Sequence, residues 1–141
     1  MLILALFSSQ YKRSWEMEFK IDTKSSYILI TPVFNRLDGV LVSAMRQKSR
    51  ELTENGRNNF IIDLHNCLDA DASSFPQLAE MHEDHYSNEQ SLVFTNIQPS
   101  VLQALKAEEM DTAINVAPTL VEATDIVSME VLERDLFGEE D

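Results

Sequence analysis

The sequence predicts a small α/β domain with a mixed five-stranded sheet flanked by helices, in the order β-β-α-β-α-β-α-β-α. Two patterns carry that expectation. Short runs rich in β-branched and aromatic residues alternate with stretches whose apolar residues recur at helical spacing. Proline or a capping residue stands at the start of most of the helical stretches. With 141 residues, 44% of them apolar, the chain is long enough for one domain with its own core.

The elements follow in order. Met17 to Asp22 alternates, with Met17, Phe19 and Ile21 opposite Glu18, Lys20 and Asp22, as in a strand with one wet face. After the turn Lys24-Ser25-Ser26, Tyr27 to Phe34 reads as a second, antiparallel strand, and Pro32 demotes its far end to an edge or bulge. Asp38 is placed to cap a helix from Val40 to Glu54, with Leu41, Ala44, Met45 and Leu52 near helical spacing and Asn55-Gly56 as its stop. Asn59 to Leu64 is the best candidate for a central strand, entered by a right-handed crossover.

A polar loop, His65 to Ser74, leads into a helix that Ser73 or Ser74 can cap. Ser74 and Gln77 have capping-box spacing, and Pro76 suits the first turn. Ser91 to Asn96 is another central strand, Pro99 starts a short helix with Val101, Leu102 and Leu105 inward, and Thr112 to Val116 is a fifth strand. Pro118 opens the last helix, whose inward stripe is Leu120, Ala123, Val127 and Val131. Met129, Leu132, Leu136 and Phe137 lie off that stripe and either widen the buried face or mark a contact surface.

Charge and cysteine content exclude several classes. The 24 acidic residues outnumber 11 Lys plus Arg, for a net charge of −13, a field that repels phosphate backbones and anionic membranes. Neither nucleic acid nor membrane is therefore expected as a partner. The single cysteine, Cys67, ends an apolar run and reads as a buried small hydrophobe. The longest apolar run, Met1 to Phe7, is far short of the ~20 residues of a membrane span. It does not read as a signal peptide either, because Lys12 and Arg13 follow the apolar stretch instead of preceding it. A cytoplasmic location follows. Residues 1–16 are out of character with the acidic chain after them: either Met17 is the natural start, or the stretch is an apolar arm that docks on a neighbour. The domain is expected over 17–137, with 138–141 as an acidic tail.

From Met17 to Phe137 the chain resembles a STAS domain, the fold of bacterial anti-sigma factor antagonists and of the cytoplasmic tails of sulfate transporters. The resemblance rests on Leu37-Asp38 after the second strand, Ile61-Ile62-Asp63-Leu64 as the central strand, Asp71-Ala72-Ser73-Ser74 before the next helix, and Leu92 to Asn96 with Val101-Leu102. The acidic C-terminal helix is similar to that of the short stand-alone members. In those antagonists the loop reads Asp-Ser-Ser/Thr-Gly, and a partner kinase of the anti-sigma type phosphorylates the first serine. The resemblance puts the aspartate at Asp71, the acceptor position at Ala72, the second hydroxyl at Ser73 and the usual glycine at Ser74. It also implies that Asp38 of the Leu-Asp pair lies near this loop.

Ala72 has no hydroxyl, so the usual phosphorylated off-state is excluded at that position. Ser73 and Ser74, at a helix N-terminus, are either caps or a displaced acceptor. The resemblance implies a non-catalytic interaction module that binds an anti-sigma factor or a histidine-kinase-like ATPase. Leu37, Asp38, Phe75 and Leu78 are the expected contact residues, with Phe75 either a core plug or an exposed anchor. A STAS-like scaffold subunit of a signalling or transport assembly is the alternative, and a homodimer is compatible with either.

Other chemistry is weaker. Asp63, His65, Asp69 and Asp71 crowd one loop, but the glycine and glutamate of a calcium loop are missing. His82 and His85 are not at the spacing of a zinc-protease helix and read as solvated helix surface. With glycines only at Gly39, Gly56 and Gly138 there is no phosphate-binding loop. No cofactor and no metal is expected.

Overall fold

A computed structural model describes residues 18–54 and 59–138. Among the described residues seven strands and four α-helices follow one another: β1 (Phe19–Thr23), β2 (Ile28–Pro32), β3 (Arg36–Leu37), α1 (Gly39–Glu54), β4 (Phe60–Asp63), β5 (Asp69–Ala70), α2 (Phe75–Ser87), β6 (Leu92–Thr95), α3 (Pro99–Ala107), β7 (Val116–Ala117) and α4 (Leu120–Gly138). Short 3-10 turns span Ala72–Ser74 and Met110–Thr112. The main sheet has the order β1-β2-β4-β6-β7, with β1 antiparallel to β2 and every other pair parallel. This is the expected mixed five-stranded sheet. The expected starts at Met17 and stop at Asn55-Gly56 lie outside the described residues, as do the N-terminal arm and residues 139–141.

The two middle strands divide the core. Phe60 and Ile62 of β4, with Leu92 and Phe94 of β6, point to one face, where they meet Leu41, Val42 and Met45 of α1, Phe75, Leu78 and Met81 of α2, and Val101 and Leu105 of α3. Ile61 and Val93, one residue out of phase, point to the other face and pack under Ala123 and Val127 of α4. Period-two alternation in which both phases are apolar demands helices on both sides of the sheet. Each such fully buried Ile, Leu or Phe is worth about 1.5–3 kcal/mol over an exposed position.

Three expectations are corrected. The fifth strand is not Thr112 to Val116: Met110 and Ile114 turn into the first core through a 3-10 turn, and only Val116–Ala117 pairs with β6. Thr95 Oγ1 donates to Ala117 O at 2.9 Å and fixes that short strand. The last helix starts at Leu120, because Thr119 caps it: Thr119 Oγ1 accepts from Glu122 N (3.2 Å) and Thr119 O from Ala123 N (3.0 Å). Pro32 closes an inner strand and not an edge one; its missing N–H falls at the strand's end, where it breaks no ladder inside the strand.

His82 and His85 are also not solvated surface. His82 is half-buried against Tyr86, and its Nε2 accepts from Asn115 N at 3.1 Å. His85 is buried, edge-on to Phe60, with Nε2 3.1 Å from Ser49 Oγ. Ser49 Oγ donates to Arg46 O (3.1 Å), so it accepts from His85 Nε2–H, and Nδ1 faces the core without a partner. Burial, then His82, pushes the imidazole down to about 4, with Asp84 opposing and Arg46 adding. A buried histidine held neutral contributes stability that is complete above the unfolded value of about 6.5. That stability is lost as pH falls from there toward the folded value, because the unfolded chain takes up the proton first.

A His85→Gln variant, which keeps a donor for Ser49 but does not titrate, therefore separates this effect from general acid loss. Urea unfolding at pH 7 and pH 5 is expected to show the parent losing about 2 kcal/mol relative to the variant. An unchanged difference between the two pH values would show that His85 is not the group.

Candidate functional site

The site is built by the smaller, two-stranded sheet. β3 and β5 pair in parallel, with Arg36 opposite Asp69 and Leu37 opposite Ala70. Two flanking bonds extend the pairing: Leu68 N donates to Asn35 O and Asp71 N to Leu37 O, both at 2.8 Å. The chain before α1 and the chain before α2 are thereby stitched together, and the residues that follow each strand, Asp38 and Asp71, emerge side by side. The proximity of Asp38 to the serine loop is a consequence of this pairing.

Each aspartate organises the turn after it. Asp38 Oδ1 accepts from Leu41 N at 2.9 Å and its carbonyl from Val42 N at 3.0 Å, so Asp38 caps α1 as the sequence predicts. Asp71 is the cap of the second turn, in place of the serines. Its Oδ1 accepts from Ser73 N (3.0 Å) and Ser73 Oγ (2.8 Å), and its carbonyl accepts from Ser74 Oγ (2.7 Å). Ser74 precedes α2 but makes no side-chain capping bond, so the capping box with Gln77 does not form. Asp71, three residues upstream, already holds the Ser73 amide at the start of the turn. The two bonds from Ser73 hold the Asp71 carboxyl below the usual carboxylate range.

Accessibility sorts the expected residues. Ala72 and Ser73 are exposed and Asp38 is half-buried, whereas Leu37 and Ser74 are buried. Phe75 (2% exposed) and Leu78 (0%) face the first core, so Phe75 is a core plug and neither it nor Leu78 offers a surface to a partner. The exposed apolar residues here are instead Leu68 (63%) before β5 and Val40 (49%) in the first turn of α1. Sequence reasoning missed both. Their signal was weak: each adjoins a buried apolar neighbour, Leu41 or Cys67, at the edge of a polar turn, so nothing in the pattern marks it as the exposed one.

The acidic loop does not converge. Asp69 lies 3.7 Å from Arg36 Nε, Asp71 is held by Ser73, and Asp63 Oδ1 lies 2.8 Å from His65 Nδ1. Asp63 Oδ2 accepts from Asn96, whose backbone is left-handed at φ 55°. Among the described residues no group of three His, Cys, Asp or Glu side chains is placed to hold a metal ion. A cleft of about 430 Å³ between α1 and α2 is lined by Arg46, Ser49, Arg50, His85, Asn88 and Gln90. It lies ~15 Å along α1 from the Asp38 turn, and Asp84 and Glu80 already engage Arg46.

A small mixed sheet with helices on both faces and two capped turns held side by side is the architecture of a STAS domain. The sequence matches the STAS domain family over residues 19–123, and the chain belongs to that family. Its fold is shared with an anti-sigma factor antagonist from Mycobacterium paratuberculosis (TM-score 0.65, 16% identity, 79% of this chain and 94% of that one). It is also shared with the anti-sigma factor antagonist SpoIIAA in its unphosphorylated form (TM-score 0.60, 18% identity, 79% and 96%). The murine anion transporter Slc26a9 contains a similar region (TM-score 0.64, 12% identity), but this chain spans only 24% of it. Among curated proteins none is significantly similar in sequence. Among the described residues no helix is long and apolar enough to cross a membrane.

Removing the α1 cap tests the local architecture. Asp38→Ala is expected to cost about 1 kcal/mol in urea unfolding. It should also speed amide exchange at Leu41 more than at Met45, since only the first turn loses its acceptor. Equal protection in variant and parent would mean that Asp38 does not hold the turn.

Proposed function

We propose that this chain is a non-catalytic, cytoplasmic binding module that works as an anti-sigma factor antagonist without the usual serine switch. Its partner is an anti-sigma factor or a histidine-kinase-like ATPase. The contact surface is the pair of turns at Asp38 and at Asp71 to Ser74, with Val40 and Leu68 as its apolar part. Leu37, Phe75 and Leu78 support that surface from below.

The observation that carries the reading is the exposed methyl of Ala72 beside Asp38, at the position where the family resemblance puts the phospho-acceptor. A hydroxyl is absent there, and the neighbours do not replace it. Ser74 is buried. Ser73 is exposed, but its Oγ lies 2.8 Å from the Asp71 carboxylate, where a phosphate would meet like charge. The surface is thus kept in a form equivalent to the unphosphorylated one, and control has to come from outside the loop. The alternative, a scaffold subunit of a signalling or transport assembly, draws support from the similar region of the anion transporter.

Calorimetric titration of the full chain against purified anti-sigma ATPases, with ATP present, tests the proposal. Binding is expected for the parent, with at least a tenfold loss (about 1.4 kcal/mol) in Leu68→Asp and in Val40→Asp. Transfer of labelled phosphate is expected to Ala72→Ser and not to the parent. Absence of binding to such ATPases, together with stoichiometric capture of scaffold or transport subunits indifferent to Leu68→Asp, would overturn it in favour of the alternative.

A further inference from the structure

The last helix carries its buried and its exposed apolar residues on opposite sides. Ala123 and Val127 are packed on the sheet. By helical phase Val121, Met129, Leu132 and Leu136 share the far side with Asp125 and Ser128, and Phe137 follows at the helix end. These five apolar side chains are between 55% and 69% exposed. From Val121 to Leu136 the stripe runs about 22 Å along the helix. Scattered exposed leucines need no explanation, but an ordered apolar stripe of this length is a contact surface.

The helix under the stripe is fixed in place. Glu130 accepts from the Tyr86 hydroxyl (2.7 Å) and from Asn115 Nδ2 (3.3 Å). Arg134 donates to Asn59 Oδ1 (2.9 Å) and Ser91 Oγ (3.1 Å). Both side chains are thereby turned toward the sheet, away from the stripe. A partner meets a preformed surface, so little free energy goes into ordering it.

Charge decides what covers it. Arg134 is the helix's single cation, and it is spent on the sheet. Glu122 and Glu133 border the stripe on one side, Asp135 borders it on the other, and Asp125 lies within it. All four acids are exposed, and none has an ion-pair partner among the described residues. A second copy of α4 does not fit. Laid antiparallel with the stripes in register, Glu122 of one copy falls opposite Glu133 of the other; laid parallel, the two Asp125 side chains meet in the seam. An anionic membrane is repelled by the same carboxylates. The occupant that matches is a helix whose own apolar stripe is flanked by Lys or Arg, which covers the leucines and supplies the counter-charges.

We propose that the exposed face of α4 is a docking surface for a cationic amphipathic helix of a partner protein, seated on the Val121–Leu136 stripe with its Lys or Arg side chains against the carboxylates that border it. This surface is separate from the paired turns at Asp38 and Asp71. α4 packs over Ile61 and Val93, on the sheet face opposite the one covered by α1 and α2, the helices that those turns precede. The domain thus offers a second surface, which a partner seated at the turns leaves open.

Two synthetic peptides of about five helical turns test this on the full chain. Both carry leucine at the a and d heptad positions; one has lysine at e and g, the other glutamate. Titration of the isotope-labelled chain with the Leu/Lys peptide is expected to shift the amide signals of the exposed α4 residues, with an affinity that falls as salt is raised. The Leu132→Glu/Leu136→Glu variant should bind it at least tenfold more weakly. Its altered side chains are exposed, and its fold is checked by unchanged signals of β4 and β6. Because the two substitutions add negative charge, a merely electrostatic association would strengthen, and that result would overturn the proposal. Absence of binding by the Leu/Lys peptide, or equal binding by the Leu/Glu peptide, would overturn it as well. So would a parent chain that sediments as a dimer and a double variant that sediments as a monomer, which would assign the face to a second copy.

Discussion

Two four-residue strands, β4 and β6, are buried on both faces, and the rest of the domain is arranged to keep water from them. Phe60, Ile62, Leu92 and Phe94 require one helical layer, and Ile61 and Val93 require another. A parallel pair can only be completed by crossovers, so the chain must leave the top of each strand, return along a helix and re-enter at the bottom. The turns that leave these strands therefore gather at one end of the sheet. The surface that contains Asp38, Ala72 and Ser73 sits there because the topology collects loops at that end. Polar ties brace the outer layer against the strands: Asn115 and Leu92 N donate to the Tyr86 hydroxyl, which donates to Glu130 of α4. Burial and that bond to Glu130 push the phenol up to about 12, so the tie persists across the physiological range.

The sheet was legible because its signals are local. A run such as Phe60-Ile61-Ile62, apolar in both phases, has no stable position other than the middle of a covered sheet. Asp38 was equally legible as a cap, since nothing competes with it for the first free amide of α1. The β3–β5 pairing was not: Arg36–Leu37 and Asp69–Ala70 are two residues each, and their partnership depends on a separation of over thirty residues that no periodicity reports. The cap before α2 is hidden for a related reason. Asp71, Ser73 and Ser74 can all accept an amide, and the choice among them is made by the 3-10 turn at Ala72–Ser74, which only the folded chain displays. The ends of α2 and α3 were also hard to place, because Glu89 and Glu109 take the left-handed conformation there in place of glycine.

Burial decided the site residues. Phe75 and Leu78 follow the loop in sequence, but α2 turns its apolar stripe to the core at once, so the residues nearest the loop are the least available. His85 shows the same effect from the opposite direction: a polar residue in an acidic helix segment is drawn inward because Ser49 on α1 accepts its proton and Phe60 receives its edge. In both cases the side-chain type was a poorer guide than the helical phase.

Cys67 gives the loop a property of a different kind. Its sulfur lies fully buried beneath the β3–β5 bridge, donating to Phe34 O at 3.4 Å, and burial together with Asp38 and Asp69 keeps it protonated. Only the thiolate reacts, so the buried, protonated thiol is protected while its surroundings stay closed. The thiol is thus a reporter placed beside the β3–β5 pair. The pace at which a soluble disulfide reagent consumes that one thiol measures how often this part of the core opens to solvent.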